Sequence, residues 1–244
     1  MAERLCVVTA ADIEFKTVAK LVSDSALTEE GGLKALHGHC GARPVTLLQT
    51  EIGAAGFADK LRAHLTSNQY AALVVIGLAG ALDPQLRTGD VVIYDRCLSE
   101  TNETCLCCAA LLSEQLLETL RAQGLNCRRG TGLLMERVII EAQHKLALHQ
   151  RTQAVAVDME SYLVLAAADS IPCAVVRVVM DEAASDLPDF NAGLDATGQV
   201  RLAPTLWALA ARPRATLQFL RSLQPALHSL ERAAHAVLHA TASR

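Results

Sequence analysis

Apolar residues along the chain fall into two patterns, short continuous runs and longer stretches in which they recur every three or four positions. Continuous runs bounded by turn residues read as buried strands, and the wider spacing reads as helices. RLCVVTAA (Arg4 to Ala11) is the first run, and DIEFKTVAKLV then takes helical spacing through Ile13, Val18 and Leu21. The segment from Leu33 to Gly53 predicts a hairpin with its turn at Gly41-Ala42-Arg43-Pro44 and its second strand over Val45 to Gln49. A helix is expected over 54–67, a buried strand in AALVVIGLAGALDP (71–84), and a turn and strand in RTGDVVIYD (87–95). A polar, Cys-rich loop over 97–108 precedes an amphipathic helix at 109–123 and a strand in GTGLLMERVII (130–140). Then come a helix at 141–150, a strand at 154–157, a helix in MESYLVLAAADS and a fully buried strand in PCAVVRVVMD. A Pro- and Gly-containing loop from Ala183 to Gly198 leads into a helical C-terminus, with Pro213 as the first residue of a new helix.

Strands that mostly alternate with helices predict an α/β fold, a mixed central β-sheet covered by helices on both faces. The chain is read as a single domain over 1–244 with a helical, basic C-terminal segment from about 201, without internal repeats. Ligands of such sheets bind at strand ends, where loops converge. Polar residues just past apolar strands are therefore the informative ones. Glu14, the turn from Gly77 to Gly80, Asp158 to Glu160, and Asp181 fit that description.

Half of the 244 residues are hydrophobic but only 3% are aromatic, so the interior is built from Leu, Val and Ala. A formal charge of −4 argues against nucleic acid as partner. The charge is uneven, with six Arg against Glu231 from Arg201 onward, a net +5 that leaves −9 on the first 200 residues. Two readings stay open for this tail, a solvated helical face and a surface that meets anionic lipid or an acidic partner. Eight Cys without a secretory leader predict free thiols and a cytoplasmic protein. The Cys105–Cys108 stretch lacks paired metal-ligand spacing and a nearby His, so no metal is expected there.

The acids suggest chemistry. Asp181 ends a continuous apolar strand, where burial should raise its pKa and keep it protonated near neutrality, ready to donate to a leaving group. An ionised Glu14 would orient water and stabilise positive charge, and Glu160, at a helix start, would accept bonds from sugar hydroxyls. The structural alternative for each is a cap, a turn or an ion pair.

TAADIEF, IGLAGALDP followed by TGDVV, and AVAVDMES followed by VVRVVMD resemble the nucleoside phosphorylase/nucleosidase superfamily over roughly residues 3–185. In site chemistry the chain is similar to the methylthioadenosine/S-adenosylhomocysteine nucleosidases. VDMES, RVVMDEAASDLP and the tail GQVRLAPTLWALAARPRATLQFLRSL resemble most closely the hopanoid-associated phosphorylase branch, whose members are linked to removing adenine from adenosylhopane.

The resemblance implies that Glu14 activates water, Asp181 protonates the purine at N7, Glu160 holds the ribose hydroxyls and Met159 packs on the sugar. It places Arg177 near the catalytic acid, Gly53 and Gly77, Leu78, Ala79 and Gly80 on the ribose side, and Val138 to Ile140, with Ile139, beside the base. Ala11 stands where a larger Met-like neighbour of the sugar is usual, Leu78 and Met180 where Ser is usual, and Asp158 where Glu is usual. An acid at Glu14, without a Gly- and Arg-containing phosphate loop near 9–16, favours water over phosphate. The resemblance therefore implies an N-glycosidase that needs no cofactor and acts on an adenosyl nucleoside with a bulky apolar 5′ substituent. Phosphorolysis and non-catalytic nucleoside binding are the alternatives. A homo-oligomer is expected. A polycyclic lipid as substrate and transient contact with a membrane surface are further expectations, carried by the Leu-, Ala- and Arg-rich tail.

Overall fold

The computed structural model describes residues 4–50, 56–101, 104–193, 207 and 209–240. Its centre is one ten-stranded mixed sheet. The strands are β1 (Leu5–Thr9), β2 (Ser23–Glu30), β3 (Leu33–Cys40), β4 (Arg43–Gln49), β5 (Ala72–Ala81), β6 (Val91–Ser99), β7 (Leu106–Cys107), β8 (Cys127–Leu134), β9 (Ala156–Asp158) and β10 (Cys173–Asp181). The helices are α1 (Asp12–Ala19), α2 (Phe57–Ser67), α3 (Ala110–Ala122), α4 (Ala142–Thr152), α5 (Ser161–Ala168) and a C-terminal helix (Pro213–Ala240), which does begin at Pro213. A short 3₁₀ turn spans Phe190–Gly193.

The sheet does not lie flat. β5 pairs in parallel with β1 and β10 and antiparallel with β9, while β10 also pairs antiparallel with β6. Parallel pairing of β6 with β8 and of β8 with β9 completes a closed five-strand circuit. β1, β4, β3 and β2 extend from β5 as an open wing. Closure brings the ends of β5, β9 and β10 together, and those ends carry Gly80, Asp158 and Asp181.

Side-chain alternation explains how both faces are covered. On β10, Val176 and Val178 join a core with α1, α3 and the C-terminal helix, through Phe15, Leu116 and Leu230. Val175 and Val179 face the opposite way and pack with α2 and α5, through Phe57, Leu61 and Val164. A strand buried on both faces has no polar alternation, which is why PCAVVRVVMD reads as one apolar run. Arg177 has the parity of Val175 and Val179, and it is 1% exposed.

Three expectations change in detail. β2 was not expected; its sequence, SDSALTEE, is exposed except at its end and carries no apolar alternation. It is an edge strand bonded only to β3, a position that favours polar and charged residues. The loop expected over 97–108 is partly strand, since β6 runs to Ser99 and Leu106–Cys107 pairs back onto it. The strand expected over 130–140 instead spans Cys127–Leu134, and Met135 to Ile140 form an irregular segment leading into α4. All eight cysteines are unpaired. Among the described residues no helix is long and apolar enough to cross a membrane.

Leu230 on the C-terminal helix is fully buried in the core shared with β10 and α3. Leu230→Ala should cost about 2–5 kcal/mol of folding stability in chemical denaturation, the range for emptying a packed leucine site. A change within about 0.5 kcal/mol, as at a surface position, would contradict this helix being part of the core.

Candidate active site

Glu14 lies in the first turn of α1, directly after β1. A Glu at this position commonly caps the helix by accepting a backbone N–H. Glu14 does so, with Oε2 accepting from Ala10 N and Ala11 N, each at 3.0 Å. Ala11 has no side-chain acceptor to return the bond. A capping Glu is ordinarily solvated, yet Glu14 is 4% exposed. Its Oε1 also accepts from Leu78 N on β5 at 2.7 Å. Three amides, two just past β1 and one within β5, thus fix one buried carboxyl.

Gly77 makes that approach feasible. A Cβ at Gly77 would sit 2.6 Å from Arg177 Nη1 and 2.7 Å from Glu14 Oε1, closer than side-chain carbons come. The missing side chain lets a carboxyl and a guanidinium converge on the backbone of β5.

Arg177 is the cation of this region. Its Nε lies 3.2 Å from Asp158 Oδ2 and its Nη2 lies 3.3 Å from Glu160 Oε2. It also donates to Ser161 Oγ at 3.0 Å and to Leu78 O at 3.4 Å. Burial opposes its charge, but Asp158, Glu160 and Glu14 more than offset this and hold the guanidinium above its ordinary value. Asp158 is saturated. Its Oδ1 accepts from Glu160 N and Ser161 N at 3.0 and 2.8 Å, and its Oδ2 from Tyr94 Oη and Ser161 Oγ at 3.0 and 2.7 Å. Burial and the adjacent Asp158 push the Tyr94 phenol well above its usual value, so it stays a donor.

Asp181 is met by a different cation, Lys145 of α4. Lys145 is fully buried; its Nζ donates to Asp181 Oδ2, to Ser185 O at 2.8 Å and to Glu182 O at 3.3 Å. Burial pushes the Asp181 carboxyl up, as its place at the end of β10 implies, while Lys145 pulls it back. The expectation of a carboxyl kept neutral by burial alone omitted this cation.

Glu14 and Asp181 line one cavity of about 290 Å³. That is close to the lower end for small-molecule sites, roughly 300–1,000 Å³. Of the residues singled out from the sequence, Ala11, Leu78, Ala79, Gly80, Val138, Ile139, Met159 and Glu160 line it as well. Gly53 lies outside the described residues. Ile140 does not line the cavity, and its carbonyl accepts from Leu187 N at 2.8 Å. Asn191 holds the neighbouring segment by bonding Val138 N and Val138 O, both at 2.9 Å.

These contacts add to the expectations for two residues. Asp158 lines the cavity, as expected of a residue near the substrate, and its oxygens also bind the start of α5, Tyr94 and Arg177, so it holds Glu160 in place as well. Arg177 pairs with Asp158 and Glu160, whereas the cation paired with Asp181 is Lys145.

Lys145, Leu187, Phe190 and Phe219 line the same cavity but were not foreseen. Phe190 and Phe219 meet at 4.8 Å between ring centroids, joining the 3₁₀ turn to the C-terminal helix. Sequence distance hid them, since they enter from segments past β10. Lys145 left a faint signal, for with Leu148 it forms the buried side of an otherwise polar helix.

The cavity's chemistry is set by its walls. Apolar side chains make up most of the lining, joined by carboxyls from α1, from the segment leading into α5, and from the end of β10. Such a site suits a ligand with an apolar part and hydroxyls, and a reaction that develops positive charge.

The sequence matches the profile of the Phosphorylase superfamily over residues 4–203. A search of curated proteins gave no significant match. Several solved structures share the fold. One is a 5′-methylthioadenosine/S-adenosylhomocysteine nucleosidase from Neisseria meningitidis in complex with methylthio-immucillin-A (TM-score 0.77, 16% identity, 96% of this chain and 98% of that one). Another is the same kind of nucleosidase from Helicobacter pylori (TM-score 0.77, 14% identity, 98% of each chain). A third is native futalosine hydrolase of Helicobacter pylori (TM-score 0.70, 16% identity, 91% of this chain and 97% of that one). At such identities the likeness is one of fold. The profile match covers most of the chain, and with the cavity at the strand ends it identifies this protein as an enzyme of the phosphorylase superfamily.

Proposed function

We propose that this enzyme cleaves the N-ribosyl bond of a purine nucleoside, with water as acceptor and adenine as leaving base. The observation that carries the reading is one shared cavity with Glu14 and Asp181 both in its wall. Breaking the bond leaves positive charge on the sugar and negative charge on the base. Glu14 stabilises the cation and aligns the water. Asp181 protonates the base at N7. Glu160 orients the ribose through its hydroxyls. Only interactions that strengthen as charge develops accelerate the reaction, and carboxyls fixed before it begins cost no reorganisation. Two relatives of the same fold, a nucleosidase bound to a methylthio-immucillin and a futalosine hydrolase, support the same class.

Water is favoured over phosphate by the state of the backbone donors. Amides at the start of a helix commonly bind phosphate. Here Ala10 N, Ala11 N and Leu78 N are already taken by Glu14, whose charge would repel an anion. Arg177, the buried cation nearest to Glu14, is committed to Asp158 and Glu160.

The apolar wall supports a substrate with a bulky apolar 5′ group, of which adenosylhopane is the specific candidate. Beyond the cavity, the C-terminal helix exposes Leu217 and Leu220 beside Arg214 and Arg221, a face suited to an anionic membrane surface on which such a lipid would be met. Self-association belongs to the same reading.

Incubation with methylthioadenosine, inosine and adenosylhopane in turn, with and without phosphate, tests the proposal. Adenine should be released in phosphate-free buffer, fastest from the apolar 5′ substrate. Strict dependence on phosphate would overturn the role given to Glu14. Glu14→Gln and Asp181→Asn should each lower kcat by at least about 10²-fold, because each removes a proton-handling or charge-stabilising group. Turnover equal to wild type in both would leave only nucleoside binding. Gly77→Ala should also lower kcat, since its methyl group displaces Glu14 and Arg177 together; an unchanged kcat would contradict the close approach of those two groups to β5.

A further inference from the structure

Lys145 touches the carboxyl on which the proposed base departure depends. Its ammonium faces three oxygens, Asp181 Oδ2, Ser185 O and Glu182 O, one for each of its N–H bonds. The side chains are 1% and 9% exposed, so the pair is little screened by solvent. The two oxygens of Asp181 are unlike. Oδ2 is held by Lys145, whereas Oδ1 has no donor among the described residues and belongs to a side chain lining the cavity. The other ionisable groups lining the cavities that Asp181 lines are Glu14, Asp158, Glu160 and Arg137, Glu182 and Asp186 on the loop after β10, and Arg221 on the C-terminal helix. None of these makes a hydrogen bond to Asp181 among the described residues.

We propose, resting on the nucleosidase reading, that Lys145 is a positioning residue that reserves Asp181 Oδ1 for the departing base and sets how readily Asp181 gives up its proton. The O–H bond of Asp181 breaks as the N7–H bond forms, and the electron pair of the N-ribosyl bond moves onto the base, which leaves neutral. Water supplies hydroxyl to the sugar carbon and its proton to Glu14. Asp181 is left as a carboxylate against the Lys145 ammonium, which stabilises the new negative charge. Solvent exchange then returns the proton from Glu14 to Asp181. A fold-stabilising ion pair would need neither this carboxyl as partner nor one oxygen left over.

The sign of the effect is fixed. A neighbouring cation favours the carboxylate, so removing it makes Asp181 hold its proton to higher pH and donate it less readily. In Lys145→Met the alkaline limb of the kcat/KM profile should move up by about 1–3 pH units, the span typical of a lost close opposite charge, and the plateau kcat should fall with little change in KM. Lys145→Arg keeps the charge and should leave the limb near its wild-type position. The ¹³C titration of the Asp181 carboxyl, which needs no turnover, should move up in parallel in the Met variant and stay in place in the Arg variant. If Lys145→Met leaves both the limb and the titration where they were, the proposal is wrong and the pair serves only the fold. If the Met variant does not fold, a limb displaced in Lys145→Arg as far as expected for complete loss of charge overturns it. A wild-type protein that releases no purine base from any of the nucleosides would sink the nucleosidase reading itself and the role of the pair with it.

Discussion

The site is arranged around the burial of Arg177. A guanidinium with 1% exposure on a fully buried strand survives only if its charge is met, and unpaired burial would cost several kcal/mol. Asp158 and Glu160 meet it directly, and Glu14 adds to the field. The consequences spread outward. Asp158 also binds the first amides of α5, so the helix start and the orientation of Glu160 are set by the same carboxylate. Gly77 must lack a side chain because Arg177 and Glu14 close over it. Removing one partner from such a network is worse than never having built it, since the remaining charge is stranded.

Formal charge obeys the same geometry. Four carboxyls (Glu14, Asp158, Glu160 and Asp181) and two cations (Arg177 and Lys145) are buried around the cavity. Acids outnumber bases, which suits a reaction passing through a cationic sugar. The two cations are separated in role. Arg177 neutralises the buried cluster of Asp158 and Glu160, and Lys145 faces the carboxyl that the proposed cleavage would deprotonate. Superfamily membership supplies the fold, while the direction of the chemistry rests on these side chains.

Much of this was legible in the sequence because strand ends are. PCAVVRVVMD has no polar interruption except Arg177, so an acid at its end had to lie at a rim. The same logic found Glu14 and Glu160. The second task of Asp158 was hidden, because two acids two residues apart on a strand-to-helix turn look alike in sequence, although Asp158 also binds the first amides of the helix and Arg177. Phe190 and Phe219 were invisible, and Lys145 nearly so, for a different reason. Each reaches the cavity through long-range packing, and periodicity reports which side of a helix is buried but not what it is buried against. β2 escaped because an edge strand needs only backbone partners on one side, a requirement that leaves little trace in hydrophobicity.

If the proposed chemistry holds, these carboxyls are set for a sugar carrying positive charge. The most direct measurement is the equilibrium affinity of the wild-type enzyme for a purine nucleoside analogue whose ribose ring oxygen is replaced by a protonated nitrogen, compared with the neutral nucleoside bearing the same 5′ group. The cationic analogue should bind tighter by at least about 10²-fold, the lower end for mimics of a transition state. Equal affinity for the two would contradict a site built to meet a cationic sugar.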